Sequence, residues 1–377
     1  MNNRFYLLLL PFIFLCTAKA SGQGCVAIRS FSGMGAMSDA TTFLGKNEFQ
    51  IGTNARYFKS YRHFRGTHEE TERVENGTEV INKSSFLDFT FNYGLTNRLY
   101  ANATLPFVFH NRTSLYEHGG NSFGFRGETR SSGLGDARIG LGYWLFDPAN
   151  HEKFNYAIGV GLKMPTGKYD VKDTFYNQGT EKDEERELVV DQSIQPGDGG
   201  WSPSIDVQGY HILSPSFSIN TTLYYLFGIA ESNGVLIRNQ PEGGTEFAVP
   251  DQYLARLGLT YGTPLTGLSV YAGGRIEGVP SEDLIGGSNA YRRPGYSIGI
   301  EPGLNYNTSN LAITLSVPFA VERNRTQSYL DKVQTEETGE YRHGDAAFAD
   351  YLISLGISYR FNKKQHSMMH DVPGSSN

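Results

Sequence analysis

The chain is 377 residues long, 39% hydrophobic and 13% aromatic, with a formal net charge of −6. That acidic balance argues against a nucleic-acid surface, which needs clustered Lys and Arg, and two cysteines rule out a disulfide framework. Beyond the first residues no stretch approaches the ~18 consecutive apolar residues of a membrane helix, so a helical membrane protein is excluded.

Residues 1–20, MNNRFYLLLLPFIFLCTAKA, read as a secretory signal peptide. Arg4 gives the positive start, Leu7 to Cys16 the apolar core and Ala18-x-Ala20 the cleavage site. Cleavage removes Arg4 and Lys19, which takes the −6 of the whole chain to about −8, and leaves Cys25 as the single cysteine. Residues 21–47, with SFSGMGAMSD, form an N-terminal segment expected in the periplasm or as a plug in a lumen. A barrel is expected over 48–361, and a polar C-terminal tail over 362–377.

From residue 48 onward a period of two keeps returning. Leu87, Phe89, Phe91 and Tyr93 alternate with Asp88, Thr90 and Asn92, and Leu99 to Phe109 repeat the pattern. It returns around 139–143, 156–162, 217–227, 257–261, 268–272, 296–300, 311–317 and 351–359. Less regular segments at 48–59 and 203–213 complete twelve candidate strands. Alternation puts one set of side chains on each face of a strand, and lengths of about 9–12 residues match tilted strands crossing a bilayer. The links alternate too. Short ones lie at 94–98, 146–153, 214–216, 262–267 and 307–310. Long, charged ones lie at roughly 60–84, 110–134, 168–202, 228–250, 278–294 and 323–347. This predicts an all-β fold, a transmembrane antiparallel up-and-down β-barrel of about twelve strands with short periplasmic turns and long extracellular loops. Aromatic residues cluster near both strand ends, as two interfacial girdles would.

The stretch AIGVGLKMPTGKYD, residues 157–170, has the look of a phosphate-binding loop but fails the test. Five residues separate Gly161 from Gly167 where a P-loop has four, and Tyr169 stands where a magnesium-binding hydroxyl is needed. Its glycines are expected on the inner wall, clearing the lumen together with Gly140, Gly142, Gly273, Gly299 and Gly303.

GCVAIRS (24–30), YGLTNRLYANATLPFVF (93–109), SGLGDARIGLGYWL (132–145), GVGLKMPTGKY (159–169) and the stretch 273–306 resemble the bacterial outer-membrane barrel family labelled for the meta-pathway of phenol degradation. The final strand, YLISLGISYRF, is similar to the C-terminal assembly signal of outer-membrane proteins, here followed by a polar tail. The family resemblance implies a transporter-like channel of the Gram-negative outer membrane for small molecules, hydrophobic or aromatic ones among them. The partners implied are outer-membrane lipid and lipopolysaccharide, the barrel-assembly machinery and a small-molecule solute.

With the apolar sets facing lipid, the alternate positions face a lumen. Its candidate lining residues are Arg56, Asp88, Arg138, Lys163, Asp206, Arg256, Arg275, Glu277, Glu301 and Asp350. An Arg or Lys on the lipid face would cost roughly 2–4 kcal/mol, which favours pointing them inward. They either line a path or form an ion-paired structural network. Histidines fall mostly in loops, with His110 at an outer rim and no Ser or Asp at a spacing that forces proximity. No catalytic, metal or cofactor site is assigned, and EKDEERE (181–187) reads as a solvated acidic loop. Alternatives to a passive channel are a structural or adhesive barrel without an open path, and a barrel-embedded lipid or peptide hydrolase.

Overall fold

The computed structural model describes residues 43–362 apart from 149, 239, 240 and 242. The expected signal segment, most of 21–47 and nearly all of the tail lie outside the described residues.

Twelve antiparallel strands close into one barrel. In chain order they are β1 (Phe49–Arg65), β2 (Ile81–Gly94), β3 (Leu99–Ser114), β4 in two segments (Gly127–Leu134 and Arg138–Trp144), β5 (Phe154–Lys163) and β6 (Ser202–Ser214). Then follow β7 (Phe217–Leu226), β8 (Gln252–Gly262), β9 (Leu268–Val279), β10 (Gly295–Asn307), β11 in two segments (Leu311–Ser316 and Phe319–Asn324) and β12 (Ala346–Phe361). Each pairs with the next, and β12 returns to β1 in a register running from Phe49↔Phe361 to Phe64↔Ala346. The pairing of the last strand with the first closes the ring of the barrel.

The alternation in the sequence becomes a division between inside and outside. On β2, Phe89 and Phe91 are exposed while Asp88 and Asn92 are buried, and on β8 Leu257 is 60% exposed while Arg256 is 6% exposed. Val160 on β5 is 59% exposed, while Lys163 on the opposite face of the same strand is 1% exposed. A polar interior under an apolar exterior inverts the order of a globular protein, and a continuous band of this kind rests against hydrocarbon. Aromatic rings mark the short-turn end of the band. Phe49 stacks on Phe361 at 4.7 Å and Phe217 lies 5.0 Å from Tyr261.

Short connections (95–98, 145–153, 215–216, 263–267, 308–310) occupy one end and long ones the other. The long connections are themselves folded. Residues 164–201 hold the hairpin Lys172–Gln178/Glu184–Val189, residues 227–251 the hairpin Ser232–Leu236/Glu246–Ala248, and residues 325–345 a helix, Tyr329–Thr338, started by a capping box of Ser328 and Asp331.

Three features differ from the sequence reading. The strands β1 and β3 run on to Arg65 and Ser114, and Gly127–Leu134, taken as loop, is the outer half of β4. Above the apolar band both strand faces are polar, so no alternation marks these extensions. Some inward glycines do not clear a lumen but make room for a ring laid across the wall. A Cβ at Gly142 would collide with the Tyr100 ring, and one at Gly258 with the Tyr271 ring. Finally, β11 is split at Val317–Pro318, where proline cannot donate to the ladder.

Candidate functional site

The inner wall carries its charges in pairs. Arg256 on β8 makes a two-pronged contact with Glu301 on β10, both hydrogen bonds being 2.9 Å. Arg275 on β9 lies 3.8 Å from the same carboxylate and 2.7 Å from Glu277. Across the barrel Arg56 on β1 donates to Asp88 on β2 at 2.9 Å and stands over the Phe86 ring. Arg256, Glu301, Arg56 and Asp88 are all buried. Asp206, also buried, has its carboxylate over Gly159 on the adjoining strand. Most of these buried side chains are drawn into a network of opposite charges. Asp350 is placed differently. It sits towards the long-loop end, half-buried, held by Arg62, Arg323 and the Tyr61 hydroxyl at 2.7, 2.7 and 3.0 Å.

Arg138 and Lys163 come together elsewhere, beside the interruption in β4. Their strands pair at Arg138↔Lys163. Beyond this pair β5 ends, while the outer segment of β4 continues with β3 alone as its ladder partner. The gap in the ladder is closed by turns rather than a strand. Met164 N–H donates to Ala137 C=O at 2.8 Å, and Thr166 Oγ1 both accepts from Ala137 N–H and donates to Gly135 C=O at 2.8 Å. Asp136 accepts the backbone N–H groups of Gly167 and Asp198, at 3.1 and 3.0 Å. Gly197 must be glycine here, since a Cβ would meet Asp136 and the Gly167 carbonyl. Lys163 pairs with Asp198 and lies 3.8 Å from Asp136. The MPTGK turn therefore seals the wall, rather than simply ending a strand at the rim.

A partly open cavity lies against this seam, its empty space about 1020 Å³ with the open solvent at its mouth included, lined by Phe86, His110, Asp136, Arg138, Lys163, Phe247, Pro250 and Arg293 among others. The loop segment 192–198 forms part of its wall. That loop is held in the lumen by Asp191, which bridges Arg293 at 2.7 Å and Arg112 at 3.5 Å and caps Ser193 N–H at 2.9 Å. Burial alone would raise the Asp191 carboxyl, but Arg112 and Arg293 hold it well below the usual carboxylate range. Towards the short-turn end the inner wall is closed in by Tyr100, Trp144 and Tyr210, with Gln208 donating to the Tyr100 hydroxyl at 2.6 Å.

Sequence spacing missed several of these groups, because strand register brings them together. Ser84 and His110 are register partners and meet at 2.9 Å between Oγ and Nδ1. No sequence spacing forces this contact; strand register makes it. Asp136 and Asp198, the partners of Lys163, lie in Gly-rich turns where an isolated Asp gives no signal. Phe86 and Phe247 line the cavity although one was read as a strand end and the other as loop.

Above the cavity, His63 accepts from Val80 N–H through Nε2 at 2.9 Å, so Nδ1 carries the proton and donates to Asp345 at 2.6 Å. Arg73 adds a contact at 3.0 Å. Burial pushes the Asp345 carboxyl up, but His63 and Arg73 outweigh it and hold it down to about 2. A depressed carboxyl stabilises the fold above its ordinary value of 3.8 and loses that contribution as pH falls towards 2. The loss amounts to about 2 kcal/mol. Pepsin cleavage within loop 325–345 is therefore expected to rise steeply between pH 4 and pH 2, a window set by that shift. An Asp345→Asn variant is expected to lack the step.

No protein-family model and no curated protein matches the chain. Among solved structures, an outer membrane channel from Pseudomonas putida F1 is similar over 84% of this chain and 97% of its own, with a TM-score of 0.52 at 13% identity. Looser likenesses are a Pseudomonas aeruginosa FadL homologue, covering 91% of this chain and 99% of its own with a TM-score of 0.42 at 8% identity, and the P. putida toluene transporter TodX, covering 92% and 99% with 0.41 at 13%. At these identities the likeness is one of fold: the closed twelve-stranded β-barrel of this chain is similar in fold to an outer membrane channel.

Proposed function

We propose that the protein is a passive outer-membrane channel for small molecules, hydrophobic or aromatic ones among them. It lies with its short turns in the periplasm and its long loops outside, and it reaches the membrane through a cleaved signal peptide. The observation that carries this reading is the cavity at the seam. Phe86, Phe247, Pro196 and Pro250 give it apolar walls, while its charged groups, Lys163 with Asp136 and Asp198 above all, are tied to one another. Such a lining, with rings and prolines set among polar groups whose charges neutralise one another, suits an uncharged, compact solute. The barrel fold, shared with an outer membrane channel of P. putida, supports the same reading. No energy-coupling element is needed for movement down a gradient. Membership of the phenol meta-pathway family is part of this proposal, carried by the phrases quoted above, as are contacts with lipopolysaccharide and with the barrel-assembly machinery.

Filling the cavity tests the proposal. Gly197 abuts Asp136 and the Gly167 carbonyl, so a large residue there would wedge the seam. Substituting Phe247, which faces the open space, with tryptophan is the gentler change. Phe247→Trp is expected to slow entry of a small aromatic solute into cells that carry the protein, with heat-modifiable gel mobility unchanged. Equal rates for the two proteins would count against passage through this cavity.

The Ser84–His110 contact is the one observation that favours a hydrolase. A nucleophile–base pair needs an orienting third group and donors for a developing oxyanion. The Phe86 ring stands edge-on to His110 at 5.4 Å. Ser84→Ala is expected to leave solute passage intact, and ester turnover lost in that variant would revive the enzyme reading.

A further inference from the structure

The outward face of the barrel changes character abruptly along β1 to β4. From the short-turn end up to Tyr57, Ser85 and Phe109, the outward side chains of β1, β2 and β3 carry no charge. At the next outward position the register runs Lys59↔Lys83, Lys83↔Asn111 and Asn111↔Arg130. Four strands thus set one polar row side by side. Their neighbours Ser60, Asn82, Ser84 and Thr129 are buried in the interior, which fixes the row on the outside.

Height places this row at a headgroup. The ten residue steps from Phe49 to Lys59 cover ~33 Å along an extended strand, or ~25 Å along the normal at the ~40° tilt of such barrels, which is the height of their apolar band. Lys59 and Lys83 therefore stand where hydrocarbon gives way to phosphate.

The charges are unbalanced. Glu128 takes both the Arg130 guanidinium and the Asn111 amide, so that end of the row is neutral. Lys59 and Lys83 face each other directly, a like-charge arrangement that destabilises a strand pair. Among the described residues neither has a carboxylate partner, and Lys59 Nζ rests over the Tyr61 ring at 4.3 Å. Near the long-loop ends of β7, β8, β10 and β12 the outward side chains are Tyr225, Tyr253, Tyr296 and Tyr351. The basic pair is a local feature of one face, not a general property of the rim.

We propose that Lys59 and Lys83, with the Asn111 amide beside them, bind a phosphate of the outer-leaflet glycolipid, the lipid A type of headgroup. An anion between the two ammonium groups turns their repulsion into two charge-assisted contacts, and the acyl chains then lie along the apolar faces of β1 to β3. The inference rests on the transmembrane placement of the barrel, with long loops outward, and does not depend on transport.

The test is a titration of the mature protein in detergent with bisphosphorylated lipid A and with its dephosphorylated form. Inorganic phosphate is added as a competitor, and bilayer conductance is recorded in parallel. Wild type is expected to prefer the phosphorylated lipid. The Lys59→Gln/Lys83→Gln variant is expected to bind it about thirtyfold more weakly, equivalent to ~2 kcal/mol, with conductance unaltered. Three outcomes overturn the proposal: wild-type affinity in the double variant, equal binding of dephosphorylated lipid, or displacement of the lipid by inorganic phosphate, which would mean an unselective anion site. A protein that binds lipid this way but conducts nothing would instead count against the channel alone.

Discussion

Replacing Glu301 with alanine is expected to destabilise the barrel by about 3–5 kcal/mol, because it removes one member of a buried ion network and strands Arg256, while Arg275 keeps Glu277. Glu301 is fully buried and is shared by Arg256, through two 2.9 Å hydrogen bonds, and by Arg275 at 3.8 Å. Arg256 is buried beside the Tyr271 ring, so losing the carboxylate leaves its charge in a largely dry place. Glu301→Gln keeps the shape and an acceptor but not the charge, and is expected to fall between the two. The measurement is the midpoint of urea unfolding in detergent or vesicles. A variant in which Arg256 and Glu301 become Met and Leu is expected to lose far less than Glu301→Ala, since burying a complete pair and burying apolar groups of similar volume differ little. A loss in the double variant as large as in Glu301→Ala would show that the pair itself, not the stranded charge, sets the stability.

Asp191→Ala acts on the passage rather than the barrel. Asp191 ties two cations, the buried Arg112 on β3 and the largely buried Arg293 in the loop after β9, and caps the turn at Ser193. Without it, segment 192–198 loses its anchor and the cations repel. Undocking of the loop is expected to release the same ~3–5 kcal/mol locally, while the strands stay paired. Single-channel conductance should rise several-fold and become noisier, with no shift in the barrel unfolding midpoint. Asp191→Asn keeps the Ser193 cap and is expected to give a smaller rise. Unchanged conductance in both variants would mean that the loop does not constrict the path.

The twelve strands were legible because lipid forces alternation, and they were legible only over the height where it does so. Residues 127–134, GETRSSGL, place Glu128, Arg130 and Ser132 outward above the apolar band, so nothing in their pattern distinguishes strand from loop. The same holds for the last residues of β1 and β3. The inward direction of Arg56, Asp88, Arg138, Lys163, Asp206, Arg256, Arg275 and Glu301 followed from parity alone. Which of them meet did not, since partners such as Arg256 and Glu301 lie two strands apart and depend on register. Asp136 and Asp198 were harder still. They act from turns in GLGDAR and QPGDGG, and become visible only when three glycine-bearing segments are seen packed at the break in β4. The glycines that suggest a phosphate loop belong to two different devices. Gly159 leaves space for the Asp206 carboxylate, and Gly167 admits the close approach of Gly197.

The most direct measurement is uptake of a small uncharged aromatic solute by Gram-negative cells with an intact outer membrane, comparing cells that carry the mature barrel, the Phe247→Trp variant, or neither. Entry is predicted to be fastest with the wild-type barrel, slower with the filled cavity and slowest without the protein, at equal amounts of folded barrel in the membrane. Equal entry in all three would contradict the account and leave the barrel a closed structural element.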